Sequence, residues 1–163
     1  MSHENNQQST FDQVQNRINK YESLKKEGFD PFPTKYERTD FAQDVQNKYK
    51  DIENGFTTDD VIKVCGRVMS VRNSGMFIDL HDESGKIQIF CNRKELNEEN
   101  TKILDLLDLG DFLGVEGKVR KTPRGELTVD ALTLTFLAKS FQPLPDKYHG
   151  VNDTEIRYRH RYI

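Results

Sequence analysis

Residues 74–91, SGMFIDLHDESGKIQIFC, read as a β-hairpin. Side chains alternate across a strand, so Ile78 and Leu80 share one face while Phe77, Asp79 and His81 share the other. The polar ESGK segment is a tight turn after the strand MFIDLHD (76–82). Beyond it Ile87 and Ile89 point inward, and Gln88 and Phe90 point outward. One face of the hairpin is built for a core. The other carries a carboxylate, an imidazole, an amide and two rings. An aromatic beside charge is either covered by another part of the chain or offers a surface on which something flat can stack.

Outward from the hairpin the same rhythm recurs. VIKVCGRVMSVR (61–72) is a long β-branched strand, with Gly66 expected at a bulge or a coil point. NEENTKILDLLDLG (97–110) reads as a helix with Ile103, Leu106 and Leu107 on one side. DFLGVEGKVRKT (111–122) and ELTVDALTLTFLA (126–138) are strands joined by the PRG turn. In the last strand the inward parity passes from Leu127, Val129 and Ala131 to Leu132, Leu134 and Phe136, which predicts a bulge near Ala131.

Upstream, residues 1–9 are polar and expected to be disordered. Thr10 with Gln13 suggests a capping box opening a helix that runs to about Glu27, with Phe11, Val14, Ile18, Tyr21 and Leu24 at helical spacing. Gly28 and GFDPFP stop it. A second helix is expected after a cap at Thr39, with Phe41, Val45, Tyr49 and Ile52 as its stripe.

Three strands, a helix and two strands, behind a helical preface, make a mainly β protein with helices. This is the order of a five-stranded OB-fold Greek-key barrel with its helix between strands three and four, preceded by an N-terminal helical segment. The divisions expected are 1–58 (helical extension), 59–140 (barrel) and 141–163 (closing segment).

Composition narrows the function classes. Of 163 residues 31% are charged and 34% hydrophobic, and no apolar run nears the ~20 residues of a membrane helix. MSHENNQQST has no signal-peptide core, so a cytoplasmic protein with no membrane contact is expected. Cys65 and Cys91 lack CxxC partners and metal-ligand spacing. They are expected to be reduced, buried thiols, with no metal site. The net charge is −3, and residues 61–140 hold 12 basic and 12 acidic side chains. Nucleic-acid binding would therefore need a local site.

The barrel type binds oligonucleotides on the outer face of strands two and three. There the sequence offers Phe77, His81 and Gln88, with Arg72 closing strand one, Glu126 opening strand five, and Lys118, Arg120, Lys121 and Arg124 around the last hairpin. A ring stacks a base, an amide reads a base edge, a carboxylate tests for a base N–H, and cations hold phosphates. The plainer alternatives are that Phe77 is core, Gln88 is solvated, Glu126 is a turn residue, His81 pairs with carboxylates, and the basic run guards an edge. Phe90 is expected beneath the N-terminal helices rather than as a second stacking ring. No catalytic residue is assigned.

The stretches INKYESLKKEGFDPFP, VCGRVMSVR, DESGKIQIF, LDLGDFLGVEGKVRKTPRGELTV, PLPDKYHG and DTEIRYRHRYI resemble the N-terminal region of class II lysyl-tRNA synthetases, over about residues 17–163. The aspartate and asparagine relatives share the barrel but look less similar in the last two stretches. The resemblance implies an anticodon-binding domain whose partner is the tRNA(Lys) anticodon stem-loop. Phe77 would stack on the middle uridine, Arg72 and Gln88 would hydrogen-bond to it, and Glu126 would contact another uridine. It implies that 141–150 is a hinge and 153–163 the start of the catalytic domain, at its dimer interface. A complete enzyme of this kind would be a homodimer using ATP and Mg to join lysine to tRNA. This chain would be a monomeric, catalytically inactive, cofactor-free piece of it. The turn between strands one and two is short, so contacts made by longer loops would be missing. A stand-alone OB module for single strands, or a protein-interaction barrel, are the other classes.

Overall fold

Five strands close into a barrel: β1 (Thr57–Arg72), β2 (Phe77–His81), β3 (Lys86–Phe90), β4 (Phe112–Lys121) and β5 (Leu127–Ala138). The structure, a computed structural model, describes residues 2–143. Around the ring the order is β1-β2-β3-β5-β4. Only β3 and β5 run parallel; the other pairs are antiparallel. Helix α3 (Glu98–Leu106) bridges β3 and β4, capped by Asn97, whose side chain accepts from the Asn100 N–H. This is the expected OB topology. Alternate residues fill the interior, among them Val64, Val68, Ile78, Leu80, Ile89, Val115 and Val129, all nearly inaccessible. Each buried aliphatic side chain of this size contributes roughly 1.5–3 kcal/mol.

Of the two bulges considered from the sequence, one is absent and one is present. Gly66 is not a bulge: β1 pairs in unbroken register with β4 from Val61 to Arg67. It is required for close approach, because a Cβ there would lie 2.6 Å from the His81 carbonyl oxygen. The bulge near Ala131 is present, since β4 passes from Glu116↔Thr133 to Gly117↔Ala131. Leu132 is thus the extra residue. It faces outward, 50% exposed, where inward placement was expected.

Helix α1 runs Ser2–Lys26 without a break, so residues 2–9 are helical and Thr10 lies inside the helix, not at its cap. No Gly or Pro precedes Gly28 to interrupt it. Gly28, at φ 85°, ends it as expected. The Phe29 N–H donates to the Leu24 carbonyl and the Gly28 N–H to that of Lys25, which satisfies the last turn. Leu24 is fully buried, and Lys20 and Glu27 reach Asp108 and Lys102 across the gap to α3. Arg17 is 8% exposed and donates to the carbonyls of Ser140 and Gln142, which fastens the chain leaving β5.

At that exit lies a charge cluster whose centre, Lys139 with Asp111, is closed to water. The Lys139 ammonium, 0% exposed, donates to Asp108 (2.6 Å), Asp111 (2.8 Å) and the Leu106 carbonyl (3.0 Å). Asp111 also accepts from the N–H groups of Ser140 and Asp108.

Helix α2 spans only Ala42–Lys48. Its expected cap, Thr39, instead accepts from the Lys63 N–H and donates to the Asp40 carboxylate. The first-turn donors are satisfied from the β2–β3 turn: Ala42 N–H by Asp82 Oδ2 (2.8 Å) and Gln43 N–H by Ser84 Oγ (3.0 Å). Asp82 Oδ1 accepts from the Ser84 N–H, the Ser84 hydroxyl and the Gly85 N–H. Burial alone would raise this carboxyl, but these hydrogen bonds outweigh it and hold it below the ordinary carboxylate value. Asp82→Ala should therefore cost about 1–2 kcal/mol at neutral pH, as cap losses do. A depressed folded value means that the contribution is complete above the ordinary range and is lost as pH falls through the folded value. Thermal unfolding of both proteins should show the gap closing in acid, and a gap independent of pH would refute this account.

Candidate nucleic-acid interface

The register assembles two rows across the outer face. One reads Arg72, Phe77, Phe90, Asp130, Lys118 in β1, β2, β3, β5 and β4; the next reads Ser70, Asp79, Gln88, Thr128, Arg120. Asn73, Ser74 and Gly75, all at positive φ, make the short turn that delivers Arg72 beside Phe77. Arg93 braces this turn, donating to the Ser74 carbonyl (3.0 Å) while paired with Asp105 (2.8 Å).

The Phe77 and Phe90 rings lie 5.2 Å apart at 46°, both half-buried. Phe90, expected beneath the N-terminal helices, lies instead against Phe77 and under the Arg120 guanidinium, 4.5 Å from its ring centre. Helix α2 reaches β3 further back, where Gln46 donates to the Lys86 carbonyl.

Beside the rings runs a relay of fixed polar groups. Arg72 Nη2 donates to Gln88 Oε1 (2.7 Å) and Asp79 Oδ1 (3.0 Å), and Gln88 Nε2 donates to Thr128 Oγ1 (2.9 Å). Gln88 is not solvated: it is 6% exposed. Its amide is thereby held in one orientation, with its second N–H and the remaining Arg72 donors left for a ligand. A flat ring stacked on Phe77 would find donors at its edge, which suits a base presenting carbonyl oxygens.

Glu126 lies one residue before β5. Its N–H donates to Thr122 Oγ1 (3.0 Å) and its carbonyl accepts from the Thr122 N–H (2.8 Å), so its backbone closes the turn. Its carboxylate is exposed, and among the described residues no hydrogen bond or ion pair engages it. It stands in line with Thr128 and Asp130 by strand parity.

The basic residues divide. Lys118 pairs with Asp59 (3.1 Å), Arg120 approaches Asp130, and Arg124 is exposed at the turn with no partner among the described residues. Lys121 is not part of this face. As the residue after Arg120 it points the other way, donating to the carbonyls of Lys50 and Ile52. His81 shares the strand face with Phe77 but sits at the far end of β2, roughly 13 Å along. There it lines a separate cavity of about 410 Å³ with Arg38, Arg67, Met69 and Phe112.

Asp130 and Thr128 were missed as site residues. Polar residues at alternate positions 126, 128 and 130 were the available signal. Burial pushes the Asp130 carboxyl above the ordinary range, with Arg120 drawing it back only in part. Both cysteines are free thiols. Cys91 is buried, which pushes it up to about 12, and the half-buried Cys65 is also raised by burial. Neither offers a thiolate for chemistry. Among the described residues no three His, Cys, Asp or Glu side chains group to hold a metal ion, and no helix is long and apolar enough to cross a membrane.

Comparison with known proteins places this face in context. The tRNA anticodon family, described as an OB-fold nucleic acid binding domain, matches residues 44–137. The lysine–tRNA ligase of Sinorhizobium medicae is 45% identical over 152 residues, covering 93% of this chain and 30% of that protein. That of Agrobacterium fabrum gives the same figures of 45%, 93% and 30%. The ligase of Latilactobacillus sakei is 44% identical over 171 aligned positions, covering 100% of this chain and 33% of its own length. The chain thus spans about three tenths of these curated relatives.

Proposed function

The chain belongs to the anticodon-binding family of OB-fold nucleic acid binding domains, and from that premise we propose that it reads the anticodon loop of a lysine tRNA. The observation that carries the reading is the Arg72–Gln88–Thr128 relay set beside the Phe77–Phe90 ring pair. A uracil stacked on Phe77 presents carbonyl oxygens to Arg72 and Gln88. Arg120, Lys118 and Arg124 supply the rim that holds phosphates, without Lys121. The likeness to lysine–tRNA ligases supports a place as the anticodon-reading part of such an enzyme, a cytoplasmic homodimer. Its joining of lysine to tRNA with ATP and magnesium would be performed by the length of the relatives that this chain does not span.

Glu126 gives the sharpest test. An ionised carboxylate accepts but does not donate. Uracil offers an N3–H where cytosine has a bare acceptor, so a glutamate aimed there favours uracil. Glu126→Gln can present either sense and should narrow the preference for uridine over cytidine at one anticodon position, with little loss on the UUU loop. Dissociation constants at fixed salt for UUU hairpins, single U-to-C loops and a scrambled loop check both claims. Equal affinity for all loops in the wild-type protein overturns anticodon reading. Full discrimination retained by Glu126→Gln assigns that residue to the turn alone.

A further inference from the structure

The ring pair has two members, and the Arg72 guanidinium of the relay lies over Phe77, 5.9 Å from its ring centre. Phe90 has its own surroundings. Asp130 is its direct cross-strand neighbour on β5, and Arg120 covers its ring at 4.5 Å. Arg120 Nε and Asp130 Oδ1 approach to 3.0 Å. Yet both atoms are buried, and neither has a hydrogen bond of adequate alignment. A buried acceptor left in that condition is costly, by an amount similar to a lost hydrogen bond. Those two atoms are closed to solvent, and the 25% and 28% exposure of the side chains lies on their other atoms, where an incoming group can reach them. A carboxylate at the centre of a face meant for a polyanion repels phosphate. What it favours is a donor on a neutral ring.

We infer that Phe90, Arg120 and Asp130 form a second base position, adjacent to that on Phe77, which takes an unstacked nucleobase carrying an N–H donor. Its base stacks on the guanidinium-covered ring, since both aromatic and guanidinium planes accept bases. Asp130 accepts the base N–H on the carboxylate oxygen other than the enclosed Oδ1. Glu126 lies too near the turn to serve this position: Asp130 is four residues further along the same face. The two stacked bases would be successive nucleotides, because their rings are neighbours across β2 and β3. This inference rests on the reading of the face as an anticodon-loop site.

The experiment measures dissociation constants at fixed salt for wild type, Phe77→Leu, Phe90→Leu and Asp130→Asn. The RNA probes are a UUU hairpin, three hairpins each with one abasic loop position, and three with one N3-methyluridine. Thermal unfolding of each variant establishes that it is folded. Phe90→Leu should weaken the intact loop roughly tenfold, the order of one stacked base, and should have no further effect when one particular base is absent. That position should differ from the one coupled to Phe77. N3-methylation at the Phe90 position should weaken wild type severalfold and Asp130→Asn much less. If Phe90→Leu leaves binding unchanged, or weakens every loop equally while Phe77→Leu shows its own coupled position, the second position is wrong and anticodon reading stands. If neither phenylalanine couples to any base, both fall. Should Phe90→Leu prove unfolded, the N3-methyl comparison with Asp130→Asn decides: equal sensitivity to methylation in both proteins overturns the inference.

Discussion

Lys139→Met is expected to destabilise the fold by about 3–5 kcal/mol, the usual consequence of stranding one half of a buried ion pair. The substitution removes the ammonium that joins Asp108, Asp111 and the Leu106 carbonyl. Asp108 keeps Lys20 at 2.6 Å. Asp111 keeps only two backbone donors and is 0% exposed. Burial already holds the Asp111 carboxyl above its ordinary value with Lys139 in place, and loss of that charge raises it further. A raised folded value for an acid means that the penalty grows as pH climbs from the ordinary carboxylate range through the folded value. The variant should therefore be weakest at neutral pH and recover part of its deficit in mild acid. Denaturant unfolding at several pH values checks this. Lys139→Met/Asp111→Asn, which removes the stranded charge, should be more stable than Lys139→Met. A loss below about 1 kcal/mol, the range of exposed pairs, would mean that water reaches the cluster.

Phe77→Ala should weaken binding to the UUU hairpin by about 1–3 kcal/mol, the stacking loss for one base. Its ring is half-buried against Phe90, so stability should fall by less than the ~3–5 kcal/mol of a fully buried phenylalanine. Binding and melting measured on the same preparation separate the two effects. Unchanged RNA affinity with a large drop in melting temperature would make Phe77 a core residue.

The barrel was legible because period-two alternation in 74–91 is strong and local. Strand parity places Ile78, Leu80, Ile87 and Ile89 inside and Phe77 on the same outer face as Gln88, as the barrel does. What stayed hidden depends on distant partners. Thr39 looked like a cap because its chemistry is right, but the groups that cap α2 come from Asp82 and Ser84, some 40 residues away. Lys121 reads as one more member of a basic run, and only the end of the strand and two carbonyls from the α2–β1 connection turn it away. Leu132 was placed inside because the parity shift was seen without identifying which residue was extra. Asp130 was overlooked because a lone acid in a strand has no local signature; its importance comes from Phe90 and Arg120 on two other strands.

The borrowed cap of α2 also dictates an order of events in folding. A seven-residue helix is well below the ~12–15 residues at which an isolated helix becomes even marginal in water. With the Ala42 and Gln43 N–H groups satisfied by the β2–β3 turn, and just one local cap contact among the described residues, from Phe41 N–H to Asp44, α2 has little of its own to nucleate on. Residues 42–48 are then expected to become helical only when the hairpin that carries Asp82 and Ser84 has closed. Helix and hairpin should then form one cooperative unit, with the amides of α2 exchanging with solvent at the rate at which the hairpin opens.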